Sequence, residues 1–424
     1  MKQVSFPYGK ERIEHSFCDG ELAAVLESSI NQYKPEVSAE ALIAHAMANP
    51  VGSPRLGELA RGKEKIVIIA SDHTRPVPSR LIMPPMLREI RSTNPEADIT
   101  ILIATGCHRG TTKEELIHKF GEEIVQNEKI CIHDCDDRDS LVNIGTLPSG
   151  GVCEINRLAY EADLLLAEGF IEPHLFAGFS GGRKSVLPGI SGRSTVLANH
   201  CSEFIAHPNA RTGILEGNPV HEDMLWAASA AKLQYIVNVV LNDKKEVIYA
   251  TAGDTQKAHR AGTDFLSSLC TVKAQKADVA ITTNGGYPLD QNVYQAVKGM
   301  TAAEASVRQG GVIIMLARSD DGTGGDHFYH QLADEADLGR IMKGFLSRAR
   351  NETLPDQWQS QILVRILMHA QVVFISSLDD KTVEELHMIP AHSIGEALEI
   401  ARGLVGKQDL TVTAIPDGIS VIVR

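Results

Sequence analysis

The chain has 424 residues, too many for one ordinary hydrophobic core, so two domains of roughly 150 to 250 residues are expected. Apolar residues make up 43% and charged residues 22%, proportions that exclude long disordered or fibrous segments. A formal net charge of -13 argues against a broad nucleic-acid-binding face, so any anionic ligand must meet cations placed one by one.

The opening MKQVSFPYGKERIEHSF lacks the apolar core of a signal peptide, and no later window reaches the roughly 18 apolar residues of a membrane span, which points to the cytoplasm. Seven cysteines, at 18, 107, 131, 135, 153, 201 and 270, form no regular framework and suit a reducing compartment.

Short apolar runs then recur along the chain at 65–70 (KIVIIA), 99–104 (ITILIA), 163–168 (DLLLAE), 235–240 (YIVNVV), 278–283 (DVAITT), 312–317 (VIIMLA) and 372–376 (VVFIS). Near-continuous hydrophobicity of this length predicts strands buried on both faces, as in parallel sheets. Helical stretches fall between them, including MPPMLREIRS, TKEELIHKF, VHEDMLWAASAAK and DTQKAHRAGTDFLSSL. The expected class is therefore α/β, with two α/β lobes built on mainly parallel sheets. A boundary near 270–277 divides the chain into 1–270 and 271–424, and the terminal DLTVTAIPDGISVIVR reads as a strand pair belonging to either lobe.

Each predicted strand runs into a polar or Gly-rich loop, which is where open α/β sheets carry ligands. SDHTRPVP follows the first, TGCHRGTTKEE the second, and IEPHLFAGFSGGRKSVLPG the third. In the second lobe NGGYPLDQNVYQAVKG follows DVAITT and RSDDGTGGDHFYH follows VIIMLA. The GFSGGRKSVLPG segment approaches a phosphate-binding P-loop, but Arg183 stands where the second glycine of that motif must be, so a nucleotide-hydrolysing reading is weak. Three histidines accompany Lys184: His108, His174 and His200. Neutral imidazole is a ligand for nickel or zinc, and near pH 7 the same ring exchanges protons, so both uses are open. The Cys131-Ile132-His133-Asp134-Cys135 cluster has no second ligand pair at zinc-finger distance, and Cys107 has no oxyanion motif around it.

Several long motifs together resemble the nickel-pincer-nucleotide-dependent lactate racemases, a family of 2-hydroxyacid racemases. They are Asp72-His73-Thr74-Arg75-Pro76, Gly106-Cys107-His108-Arg109, the stretch from His174 through Gly189, and Asn199-His200. They continue with Asn284-Gly285-Gly286-Tyr287-Pro288-Leu289-Asp290-Gln291, Tyr294-Gln295-Ala296-Val297-Lys298-Gly299 and Pro355-Asp356-Gln357-Trp358. The resemblance implies a nickel pincer nucleotide, the pyridinium-3-thioamide-5-thiocarboxylic acid mononucleotide, attached covalently to Lys184, with the nickel bound by His200. It implies that His108 and His174 flank the substrate, each taking the hydroxyl proton of one enantiomer while hydride passes to the cofactor and pyruvate forms. Asp72, Arg75 and Trp358 are then expected at the cofactor, and Arg75, Gln295, Lys298, Tyr294 and Phe176 at the substrate. Asp72 is also suited to orient a histidine or Arg75.

On this reading 1–270 anchors the cofactor and 271–424 closes an active site lying in the interdomain cleft. Lactate is the expected substrate, and accessory proteins for cofactor synthesis and nickel insertion the expected partners. A racemase or epimerase of the same superfamily for malate or a sugar acid is the alternative, disfavoured by the apolar ring of Phe176.

Overall fold

The computed structural model describes residues 1–424 as a mixed α/β chain with mainly parallel sheets. It divides into two compact units, Ile30–Leu269 and the pair of segments Met1–Ser29 and Cys270–Arg424. No helix is long and apolar enough to cross a membrane.

The Ile30–Leu269 unit is built on a six-stranded sheet in the spatial order Val247–Gly253, Leu233–Leu241, Leu164–Ile171, Lys65–Ser71, Asp98–Ala104 and Lys129–Ile132. All neighbours are parallel except the hairpin made by the first two. Leu164–Ile171 is buried along its whole length, as a central strand covered on both faces must be. One face packs Ile66, Ile68, Ile101, Leu164 and Leu166 against Ile82, Met86 and Ile90 of the helix Ser79–Thr93 and against Ile43 and Met47 of the helix Ala39–Ala48. From Lys65–Ser71 the chain builds outward to Asp98–Ala104 and Lys129–Ile132, then returns to place Leu164–Ile171 on the opposite side of the first strand. The carboxyl ends of these two central strands therefore diverge at a topological switch point, where an α/β sheet opens a crevice.

In the other unit six parallel strands lie in the order Ile389–Ala391, Gln371–Ile375, Val307–Leu316, Ala277–Thr283, Val412–Ile415 and Leu22–Val25. All seven apolar runs of the sequence are strands in one sheet or the other. The domain division needs correction at its N-terminal end. A cut at 270 assigns residues 1–270 to one domain, but Leu22–Val25 pairs with Val412–Ile415. The hairpin Lys2–Tyr8/Glu11–Phe17 also buries Val4, Phe6 and Phe17 among Val279, Ile281, Val312 and Ile314. The C-terminal tail stays in the same unit, because Ile422–Val423 pairs with Thr271–Val272.

The N-terminal hairpin is thus part of a core and should be measurable as such. Phe6 is fully buried, so Phe6→Ala is expected to lower unfolding free energy by about 3–5 kcal/mol, read as a lower denaturant midpoint at unchanged slope.

Asp278 ties the same sheet together at its amino end. Its carboxylate accepts from Arg308 at 2.6 Å, Lys407 at 2.9 Å, and the Thr411 hydroxyl and amide at 2.8 and 3.1 Å. Burial would raise its pKa, but the Lys407 and Thr411 hydrogen bonds and the Arg308 charge prevail and lower it to about 2. A carboxylate depressed in the folded state contributes stability above its unfolded value, and that stability is lost as pH falls through the folded one. The acid-induced fall in melting temperature between pH 4 and pH 2 is therefore expected to be shallower in Asp278→Asn, which starts from a lower value at neutral pH.

Candidate active site

Three loops leave the carboxyl ends of adjacent strands around the switch point of the Ile30–Leu269 unit. The first follows Lys65–Ser71 and begins with Asp72, which is 1% exposed. Thr74 closes an Asx turn on it, donating its amide at 3.2 Å and its hydroxyl at 2.7 Å to Oδ1. The other carboxylate oxygen, Oδ2, lies 2.7 Å from Nδ1 of His108, carried on the loop after Asp98–Ala104. Burial pushes the Asp72 carboxyl up, but the hydrogen bonds from His108 and Thr74 and the charges of His108 and Arg75 outweigh it and leave it below the usual carboxylate range. Asp72 is therefore an anion that accepts the Nδ1 proton of His108. The His108 tautomer so fixed presents the Nε2 lone pair outward. Arg75, at the exposed end of the turn, has its backbone carbonyl held by the buried Lys119 ammonium at 3.3 Å, while its guanidinium pairs with no carboxylate of the chain.

The third loop follows Leu164–Ile171 and doubles back through a short ladder in which His174 pairs with Gly178. Gly178 has φ +78°, and a Cβ there would sit 2.3 Å from the Ile214 carbonyl oxygen, so the tight return requires glycine. The Ala177 amide donates to His174 Nδ1 at 3.3 Å, which places the hydrogen of the neutral ring on Nε2. His108 and His174 thus carry opposite tautomers.

Phe176 is the hub of this loop. His174 meets it edge-on at 4.6 Å, His200 at 5.1 Å, and the Lys184 ammonium lies 6.0 Å from its centroid. Lys184 stands half-buried on the single helical turn Gly182–Ser185. His200 follows the helix Arg193–Asn199 and is buried, its Nδ1 donating to the Val196 carbonyl at 2.9 Å, so its lone pair is on Nε2. Burial and then the Lys184 charge lower its pKa to about 3, which keeps the ring neutral and able to bind a metal.

Arg183 was not legible as a structural residue. Beside Lys184 in a Gly-rich run it suggests a solvated basic pair, yet it is 1% exposed and meets no carboxylate. Its guanidinium donates to the carbonyls of Phe179 at 2.8 Å and Ala177 at 2.7 Å and to His221 Nδ1 at 2.9 Å, and lies 3.1 Å from His259 Nε2. Burial lowers its pKa to about 9. It is the internal staple that holds the loop carrying Phe176 against the turn carrying Lys184. Thr74 was also missed, although the Asp-x-Thr spacing is an Asx-turn signal.

Tyr294, Gln295, Lys298 and Trp358 belong to the other unit. Tyr294, Gln295 and Lys298 share one partly exposed face of the helix Val293–Ser306, while Val293, Ala296, Val297 and Met300 are buried. Asn292 caps that helix, accepting from the Gln295 amide at 3.0 Å. Trp358, on the helix Gln357–His369, donates its indole N–H to the Tyr294 hydroxyl at 3.1 Å, and the neighbouring Gln359 side chain donates to the Tyr294 carbonyl at 2.6 Å. The sequence-derived residues therefore gather into three contact groups: Asp72 with His108, Phe176 with His174, Lys184 and His200, and Tyr294 with Trp358.

Two family models together match most of the chain, the lactate racemase N-terminal domain over residues 8–213 and the lactate racemase C-terminal domain over residues 272–423. Curated lactate racemases from Thermoanaerobacterium thermosaccharolyticum and Lactiplantibacillus plantarum are each 52% identical over the whole of both chains. The lactate racemase apoprotein of T. thermosaccharolyticum superposes with a TM-score of 0.96 at 51% identity, covering both chains completely. A Thermotoga maritima protein shares the fold at a TM-score of 0.65 and 18% identity, over 92% of this chain and all of that one. With both domains matched and relatives this close over their full length, the chain is an isomerase of the racemase type and belongs to the lactate racemase family.

Proposed function

We propose that the chain interconverts D- and L-lactate with a nickel pincer nucleotide joined to Lys184, the nickel taking His200 as its protein ligand. The observation that carries this reading is the pairing of a buried neutral imidazole with an amine across one aromatic ring, His200 and Lys184 about Phe176. The donor chemistry fits the group. His200 Nε2 holds a lone pair, and acylation of the Lys184 amine removes the positive charge that now opposes a cation beside His200. When bound, the nucleotide supplies an acceptor for the hydride at C2 of a 2-hydroxyacid.

The side chains of the protein supply the rest. His108 Nε2 takes the hydroxyl proton, and the resulting imidazolium is stabilised by the Asp72 carboxylate at 2.7 Å from Nδ1. His174 serves the opposite face. As a neutral ring it donates from Nε2 to the substrate oxygen, and to act as base it must move its hydrogen to Nδ1 at the expense of the Ala177 bond, worth about 1 kcal/mol. Arg75 offers a planar fork to a carboxylate or to the cofactor phosphate, and Lys298 a compact charge for the same anions. Gln295 donates to the substrate carboxylate, while Tyr294 and Trp358 wall the site, Trp358 on the cofactor side. Phe176 leaves room for the methyl of lactate and offers no partner to a second carboxylate, which disfavours malate or a sugar acid. Cofactor assembly and nickel insertion fall to accessory proteins.

The test is to supply cofactor-loaded chain with D- or L-lactate separately and follow the enantiomers by chiral chromatography. Both reactions are expected to converge on a racemic mixture with little change in malate under the same conditions. Lactate left optically unchanged while another 2-hydroxyacid racemises would replace the substrate assignment.

A further inference from the structure

We propose that Cys107 and Cys135 form a peroxide-responsive thiol pair that closes to a disulfide beside the catalytic loop. The strands Asp98–Ala104 and Lys129–Ile132 run parallel with Ile103 opposite Ile132, so the loops that follow leave side by side. The His133 amide donates to the Ile103 carbonyl at 3.0 Å and the Thr105 hydroxyl to the His133 carbonyl at 2.6 Å, which holds the two loops in step up to the cysteines. Two residues beyond these contacts, the Cys107 and Cys135 side chains lie within interaction distance of each other. Cys107 is exposed and Cys135 is buried behind it.

The surroundings set an order of reaction. The interaction with Cys135 lowers the Cys107 pKa against the effect of burial, and the Arg193 charge acts in the same direction; Cys135 is pushed up by the same interaction and by burial. Arg193 is itself fixed, its amide donating to the Cys135 carbonyl at 3.1 Å and its guanidinium gripping Asp136 at 2.7 and 2.8 Å. Cys107, the exposed member of the pair, is thus the thiol that a small oxidant can reach. Its sulfur attacks one oxygen of hydrogen peroxide, the O–O bond breaks, and the hydroxide released takes a proton to leave as water. The sulfur of Cys135 then displaces hydroxide from the Cys107 sulfenic acid, and that hydroxide takes the Cys135 proton as a second water. Two thiols have given two electrons to one peroxide. Because Cys107 adjoins His108, the new bond ties the loop that carries the Asp72-bound base to the loop that follows Lys129–Ile132.

The experiment uses the reduced full-length chain, a brief exposure to hydrogen peroxide, alkylation of remaining thiols and peptide mapping, so that it does not depend on the substrate or cofactor assignment. The expected product has lost two of its seven free thiols, carries a 107–135 cross-linked peptide, and returns to seven on treatment with dithiothreitol. Cys135→Ser is expected to stop at the sulfenic acid, trapped on Cys107 by dimedone, and Cys107→Ser to react about tenfold more slowly or less. Seven thiols surviving, Cys135 linked to Cys131 instead, or Cys107→Ser oxidising as fast as the parent would each overturn the pairing.

Discussion

Lys184→Ala chain, produced in cells that make the nickel pincer nucleotide, is expected to have the mass of the bare polypeptide and to lose racemisation by at least about 10⁴-fold. The side chain stands half-buried on a turn fixed by the Arg183 staple, facing His200 across Phe176. Shortening it removes an attachment point without disturbing the packed ring. Lys184→Arg separates tether from charge, because a guanidinium keeps the positive field but does not form the covalent link; the same loss of mass and activity is expected. His200→Ala is expected to behave differently, retaining the covalent mass while its nickel is stripped by a mild chelator that leaves the parent loaded. Intact mass and metal content read the two roles independently. A Lys184→Ala chain that still carries the nucleotide mass would remove the tether from Lys184.

Much of this arrangement could be read before folding, and the reason is local. Strands such as Ile66–Ala70 and Leu164–Ala167 are covered on both faces, so their hydrophobicity is continuous in sequence and marks them without knowledge of neighbours. The loops that follow them hold the residues proposed for the chemistry, for the same topological reason. What escaped depends on pairing at long sequence separation. Leu22–Val25 is an unremarkable apolar tetrapeptide until it lies beside Val412–Ile415, and that pairing is what transfers the first 29 residues to the other unit. Arg183 escaped for a related reason. Its cage of carbonyls and imidazoles exists only after the loop from Ala177 to Gly181 has folded back and His221 and His259 have arrived from distant helices.

His108→Ala and His174→Ala are each expected to lower turnover by about 10²–10⁴-fold, but steady-state rates alone cannot assign the two faces. The enantiomers of lactate have equal free energy, so the equilibrium constant is unity and every variant must show the same kcat/KM in both directions. The roles become visible only in the half-reaction. Cofactor-loaded enzyme in excess over substrate, quenched within one turnover, reports how fast each enantiomer becomes the 2-keto acid. There, His108→Ala should lose oxidation of one antipode and retain most of the other, and His174→Ala the reverse. Asp72→Asn should follow His108→Ala in kind but less severely, since the ring remains while its proton-bearing state loses the carboxylate at 2.7 Å. If both single-histidine variants lost the two half-reactions equally, the division of faces would be wrong, and the pair would have to act together on each enantiomer.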